Sequence, residues 1–315
     1  MGQKVLFFGD VGIDDTIALT YGYLNDEIDI VGVVSDYGNV SMEKTIANVH
    51  YIAKMFNFPK EVKIIGGAEV PMTGEQPTFY PEVHGEYGLG PIEPGTYEGV
   101  IENFFEIVNL INQYENELII VNVGRLTSLA TMFILFQSLM KKVKAYYIMG
   151  GAFWVPGNVT AVSEANFHGD PIAVRVVLTY ANNVTIIPLN VTDRAIVTPE
   201  MVNYIDYKGK APLIKPLLDF YYKFYKNNNP SIQGSPVHDA ITLMASIRED
   251  MFSYKTLPIH IVLRDEQIAR GQSIADIRPY IEFGEQEKKH RIAFDFDYNY
   301  FFNDFMSVMT GEEFK

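Results

Sequence analysis

FFGDVGIDDTIAL, residues 7–19, decides how this chain is read. Its opening residues are apolar and end at Gly9. Three acids follow within six positions, Asp10, Asp14 and Asp15, where a buried strand should give way to a helix. Like charges at that spacing repel, so either the side chains point apart or something positive belongs among them. Asp14 can cap a helix starting there, and Asp15 is favourably placed in its first turn. That account covers two acids and leaves Asp10, on the preceding turn, without a role. The alternative is a hard divalent cation held by carboxylate oxygens. With oxygen ligands and no cysteine in 315 residues, Ca²⁺ or Mg²⁺ is favoured over Zn²⁺.

On either side of this stretch, short β-rich apolar runs alternate with longer segments of helical period. KVLFFG (4–9), IDIVGVVS (28–35), VKIIGG (62–67), LIIVNVG (118–124), VKAYYIMGG (143–151) and VTIIPLN (184–190) read as buried strands. Helices are predicted over 14–24, 42–56, 97–114, 126–139 and 171–181, then over 198–207, 211–225 and 237–247. LPIHIVL (257–263) and HRIAFDFD (290–297) read as later strands, followed by a terminal helix over 298–309. The alternation predicts an α/β fold: a mainly parallel, Rossmann-like sheet flanked by helices, with additional C-terminal helices and strands, in one domain over 1–315. Ligands of such sheets bind beyond the carboxyl ends of the strands, where the opening acids stand.

Composition narrows the partners. Apolar residues make up 48% of the chain, which argues for a packed core. A net charge of −14 repels phosphate backbones, so general nucleic-acid or anionic-membrane binding is not expected. The lack of cysteine excludes disulfides, thiolate metal sites and a cysteine nucleophile. No apolar run approaches the ~18 residues of a membrane span. The first residues lead directly into a strand, so a soluble cytoplasmic protein without a signal peptide is expected. Two long polar-to-aromatic loops, 71–95 and 226–236, are long enough to be functional.

Further segments give the acids a context. Asp10-Val-Gly12-Ile-Asp14-Asp15 resembles the end of the D-x-D-x-G-x-D-D signature of the inosine–uridine-preferring nucleoside hydrolases. In the same order come Tyr37-Gly38-Asn39, His84-Gly85-Glu86-Tyr87-Gly88-Leu89-Gly90, Val123-Gly124-Arg125-Leu126-Thr127, Met149-Gly150-Gly151, Gly157-Asn158 through Glu164-Ala-Asn166, Asp170-Pro171 and Val237-His238-Asp239. The resemblance spans almost the whole chain. Each piece alone is weak, and the ordered set is specific. It implies the nucleoside hydrolase fold and hydrolysis of a ribonucleoside to base and ribose, with Ca²⁺ as cofactor.

By that resemblance, Asp10, Asp15, the backbone carbonyl of Val123 and Asp239 match the direct metal ligands, and Asp10 is also the general base. Asp14, Asn39, Asn158, Glu164 and Asn166 match positions that bind ribose hydroxyls. Tyr225 matches a position beside the leaving base. His238 is a candidate acid for that base, and His84, in a glycine-rich loop, is expected to close over the substrate. Tyr221 lies one helical turn from Tyr225 and shares its face. Trp154, the one tryptophan, is a further candidate for the base wall. Phe8 occupies the place of the family's first signature acid, which removes one negative charge and implies weaker cation binding. Two other readings are a phosphatase-like hydrolase, which would need an acid where Phe8 stands, and a non-catalytic or weakly active nucleoside- or ribose-binding protein on the same fold. The resemblance also implies a homodimer or homotetramer.

Overall fold

The computed structural model describes residues 2–97, 99–263, 268–284 and 286–315. Its centre is an eight-stranded sheet built from β1 (Gln3–Gly9), β2 (Ile28–Ser35), β3 (Lys63–Gly66), β4 (Ile119–Asn122), β5 (Ala145–Met149), β6 (Val184–Ile187), β7 (Phe252–Leu257) and β8 (His290–Phe296). The spatial order is β3-β2-β1-β4-β5-β6-β8-β7. Neighbours from β3 to β8 run parallel, and β7 closes the edge antiparallel to β8. The six predicted early strands therefore form, and the order reverses beside β1, between β2 and β4. Such a reversal leaves a crevice at the carboxyl ends of the strands.

Helices cover both faces. α1 (Ile13–Leu24), α2 (Met42–Met55), α9 (Pro199–Lys208), α10 (Ile214–Asn228), α11 (His238–Ala245) and α12 (Tyr298–Thr310) pack on one side. α4 (Glu106–Gln113), α5 (Thr127–Met140) and α7 (Pro171–Tyr180) pack on the other. Three short helices, α3 (Pro81–His84), α6 (Ala165–Gly169) and α8 (Leu189–Thr192), lie in the connections. β1 shows why its sequence is apolar from Val5 to Phe8: Val5 and Phe7 enter one core, Leu6 and Phe8 the other. Phe8 is completely buried among Leu126, Ile148 and Phe167, between Val34 and Asn122 of the flanking strands. It is a core residue of the sheet.

Three predicted elements change. The helix expected over 97–114 forms only as α4. Within it, Glu98 lies outside the described residues, and the Glu102 N–H bonds the Ile64 carbonyl at 2.8 Å, laying that segment against the edge of β3. The strand expected over 257–263 is displaced. β7 ends at Leu257 because Pro258 has no N–H to continue a ladder, and His260–Ile261 instead pairs with Ser273–Ile274 in a separate ribbon. α10 starts three residues later than 211–225 and extends to Asn228, with Pro216 tolerated in its first turn.

Phe8→Ala should cost roughly 3–5 kcal/mol of stability by opening a cavity in the core. Urea unfolding tests this, and a cost under about 1 kcal/mol would show that Phe8 is not packed as described.

Candidate active site

A cavity of about 590 Å³ lies beyond the carboxyl ends of β1, β4 and β5. Among the residues singled out from the sequence, its lining includes Asp10, Asp14, Asp15, Asn39, His84, Val123, Asn158, Glu164, Asn166, Tyr221, Tyr225, His238 and Asp239.

Its floor is acidic. α1 begins at Ile13 with Gly12 as its cap, and Asp15 Oδ2 reaches back to accept the Gly12 N–H at 2.9 Å. Asp15, not Asp14, therefore makes the capping bond. Asp14 is left facing the cavity, where Tyr221 donates to its Oδ2 at 3.4 Å. Asp239 is the second residue of α11, and α1 packs along α11, with Gly22 opposite Leu243. One oxygen from each of Asp14, Asp15 and Asp239 lies within 4.8 Å of the others. Asp10 stands beside this trio and accepts the Asn39 N–H. Neither contact tolerates a side chain behind it: a Cβ on Gly38 would collide with the Asp10 carboxyl, and one on Gly9 with Asp15 Oδ1.

These acids are almost solvent-free, from 2% exposed for Asp15 to 8% for Asp14. Burial, then repulsion from Asp10 and Asp14, holds the Asp15 carboxyl well above its ordinary range. Burial, then repulsion from Asp14, Asp15 and Asp10, does the same to Asp239. Asp15 Oδ1 is buried with no hydrogen-bond partner. A buried oxygen without a donor, within a group of mutually repelling carboxylates, is the donor set a hard divalent cation requires. The Val123 carbonyl supplies a neutral oxygen at the same cavity and accepts Asn166 Nδ2 at 2.7 Å.

One wall carries amides. Asn39 follows β2. Asn158 accepts the Ala165 N–H at 2.9 Å. Glu164 caps α6, with Oε1 accepting Asn166 N–H at 2.7 Å and Oε2 accepting Gly151 and Phe167 N–H, each at 3.0 Å. Burial raises the Glu164 carboxyl, against the pull of those three N–H groups and of Arg125. Another part of the lining is aromatic. Tyr221 and Tyr225 meet edge-on, with ring centres 4.9 Å apart. His238 Nε2 is 3.1 Å from the Tyr225 hydroxyl, which is 3.2 Å from that of Tyr221. His238 Nδ1 lies 2.8 Å from Thr192 Oγ1.

Two expectations are corrected. His84 is not on an open loop: it ends α3, is 2% exposed, accepts the Ile13 N–H at 3.2 Å and rests against Tyr221. It is a wall buttressing the start of α1. Its following glycines, Gly85, Gly88 and Gly90, take positive φ to make a turn closed by Gly90 N–H on the His84 carbonyl at 2.7 Å. Trp154 does not line the cavity; it is 68% exposed and donates to the Ala275 carbonyl at 2.9 Å. Asp170 is also structural, capping α7 and accepting from Thr127 at 2.7 Å and Met72 N–H at 2.8 Å. The sequence reading missed Tyr80, Glu82, Phe224 and Asn228, which also line the cavity, as does Met149, which it quoted in a motif without a role. Phe224 and Asn228 lie three and seven positions beyond Tyr221, so helical spacing was the available signal.

An acid-floored cavity at the reversal of a parallel sheet, with amides and tyrosines in its lining, defines an α/β enzyme for a small polar substrate. The chain belongs to the family described as inosine-uridine preferring nucleoside hydrolase, whose profile matches residues 5–303. It is thereby an N-glycosyl hydrolase of the ribonucleoside class. Uridine nucleosidase 1 of Arabidopsis thaliana is 31% identical over 279 residues, covering 87% of this chain and 82% of that one. The inosine-uridine preferring nucleoside hydrolase of Crithidia fasciculata is 26% identical over 285 residues, covering 88% and 89%. A solved purine-preferring ribonucleoside hydrolase from Gardnerella vaginalis has a TM-score of 0.89 at 25% identity, over 98% of each chain. Among the described residues, no helix is long and apolar enough to cross a membrane.

Asp36, just after β2, supplies a pH test. It is fully buried; Ser128 and the Ala68 N–H donate to Oδ1, and Oδ2 has no partner. Burial pushes its carboxyl up to about 7 from an ordinary 3.8. The folded chain thus keeps a proton that the unfolded chain releases. Stability contributed by this group is present below about pH 4 and lost as pH rises to about 7, at up to roughly 1.4 kcal/mol per pH unit. Asp36→Asn should flatten that decline and be the more stable protein at pH 8, measured by urea unfolding at pH 5 and 8. Identical pH slopes in both proteins would refute the assignment.

Proposed function

We propose that this chain hydrolyses ribonucleosides to free base and ribose with Ca²⁺ as cofactor, held by Asp10, Asp15, Asp239 and the Val123 carbonyl. The observation carrying this reading is the gathering of buried carboxylates around a partnerless Asp15 Oδ1. When bound, such a cation offsets their repulsion and makes a neighbouring water more acidic.

Asp10 is the general base and takes a proton from the attacking water. The water oxygen bonds to C1′ as the bond from C1′ to the base nitrogen breaks, and the sugar passes through a cationic, oxocarbenium-like state. The surrounding carboxylates stabilise that charge in a nearly dry site. Asp14, Asn39, Asn158 and Glu164 hold the ribose hydroxyls, since amides donate and accept while carboxylates accept, and Asn166, expected among them, instead spends its amide on Arg125 and on the Val123 and Met149 carbonyls.

The base leaves toward the aromatic wall. Donor direction along that wall is fixed from the Asp14 end. The carboxylate only accepts, so Tyr221 donates to it, Tyr225 donates to Tyr221, and His238 Nε2 carries the proton facing Tyr225. His238 is the acid for the leaving base in this reading.

Phe8 gives no reason to prefer a non-catalytic binder, because its side chain enters the core away from the cavity. A pure binder also has no use for a general base. We further propose that residues 1–315 act as one domain and self-associate, for which the exposed Phe105, Ile134 and Leu135 offer an apolar surface.

Purified protein with Ca²⁺ should release reducing sugar from inosine or uridine, and a chelator should abolish it. Asp10→Ala should lower turnover by roughly 10²–10⁴-fold; a variant as fast as the parent removes Asp10 as the base. His238→Ala should slow natural nucleosides far more than a nitrophenyl riboside, whose leaving group needs no proton. Equal losses on both substrates would count against His238 as the acid.

A further inference from the structure

Arg125 follows the Val123 carbonyl by two residues and is 4% exposed, yet the groups that receive its protons are neutral. Nη1 donates to Asn166 Oδ1 at 2.5 Å and Nη2 to Asn39 Oδ1 at 3.1 Å. A guanidinium has five donors and no acceptor, so chemistry fixes the orientation of both amides: each must turn its oxygen toward Arg125. Asn166 then directs Nδ2 to the Val123 carbonyl at 2.7 Å and the Met149 carbonyl at 3.3 Å. Asn39 has its oxygen engaged and its backbone N–H on Asp10, and its Nδ2 is left to the cavity.

We propose that Arg125 is a positioning residue that locks the Asn39 amide with its N–H₂ group toward the sugar, making that wall a donor to a ribose oxygen. This rests on the reading of the cavity as a ribonucleoside site. The neighbouring carboxylates, Asp10, Asp14 and Glu164, can only accept, so they recognise the hydrogens of hydroxyl groups. A sugar also presents oxygen lone pairs, and a donor in the same wall completes its recognition. Without Arg125 the Asn39 amide is free to rotate by half a turn and set its oxygen against the sugar oxygen. Gly169 shows how tightly the guanidinium is seated: a Cβ there would strike Arg125 Nε and Cδ.

The test is a double-mutant cycle read by ribose binding in calorimetry as well as by turnover, using Arg125→Met, Asn39→Ala and the pair. If Arg125 acts through Asn39, each single variant should weaken ribose binding about tenfold, and the double variant should lose little more than either alone. Multiplying losses would overturn the proposal, because they would mean that Arg125 acts by a route other than Asn39. Arg125→Lys, which keeps the charge but offers no planar fork to two amides, should bind ribose less well than the parent while unfolding at nearly the same temperature. Full ribose affinity in Arg125→Lys would also overturn it. A parent protein that binds no ribose would instead defeat the nucleoside reading itself, which separates the two failures.

Discussion

Mutual repulsion among Asp10, Asp14, Asp15 and Asp239 is the constraint around which this molecule is arranged. Each carboxylate is removed from water, where its charge would be screened, and set beside others of the same sign. No fold keeps such a group without restraining it. The restraints here are local and specific: the turn at the end of β1, the cap bond from Gly12 N–H to Asp15, the Asn39 N–H on Asp10, and the packing of α1 on α11. Two glycines, Gly9 and Gly38, leave room for the carboxyls to sit against backbone. The negative charge gathered in this arrangement makes the cavity floor receptive to positive charge.

The order of the sheet explains why acids so far apart in sequence can meet. β1 lies between β2 and β4, so the segments that follow these strands converge on one end of the molecule. Asp10 follows β1, Asn39 follows β2, Val123 follows β4, and Met149 ends β5. Asp239 arrives from a helix that is no part of this alternation. It is delivered by apolar packing, since Ile241, Leu243 and Met244 of α11 belong to the same core as Ile17 and Tyr21 of α1. The hydrophobic effect thus performs work against the electrostatic repulsion of the two helix starts.

This division of labour also explains what could be read from the chain. The buried strands announced themselves because a strand covered on both faces carries apolar residues on both, as β1 does from Val5 to Phe8. Most of the residues picked out as an ordered set of short motifs line one cavity, which is placement and not role. Orientation was less legible. The sequence permits Asp14 or Asp15 to cap α1, and the choice depends on which carboxylate can bend back to Gly12 while the other meets Tyr221. His84 looked mobile because glycines surround it, yet those glycines make the turn that seals it against α1. Trp154 suggested a pocket wall by its rarity, and composition says nothing about direction. The displaced strand and shortened helix share one cause: apolar pattern does not record where an edge strand is free to accept a passing segment, or where a proline ends one.

Arg125 sharpens the electrostatic argument. Hydrolysis of an N-glycosidic bond builds positive charge on the sugar, so a guanidinium in contact with that ring would oppose the reaction. The structure keeps the cation one layer back, behind two neutral amides. Asn39 transmits its geometric demand to the cavity, oxygen inward and nitrogen outward, while Asn166 turns its nitrogen to the Val123 and Met149 carbonyls. Its charge is not idle at that depth, because with three backbone N–H groups it pulls the Glu164 carboxyl down against the burial that raises it. A site that must be negative toward its substrate can therefore still use a cation for order, provided that polar neutral groups stand between the two.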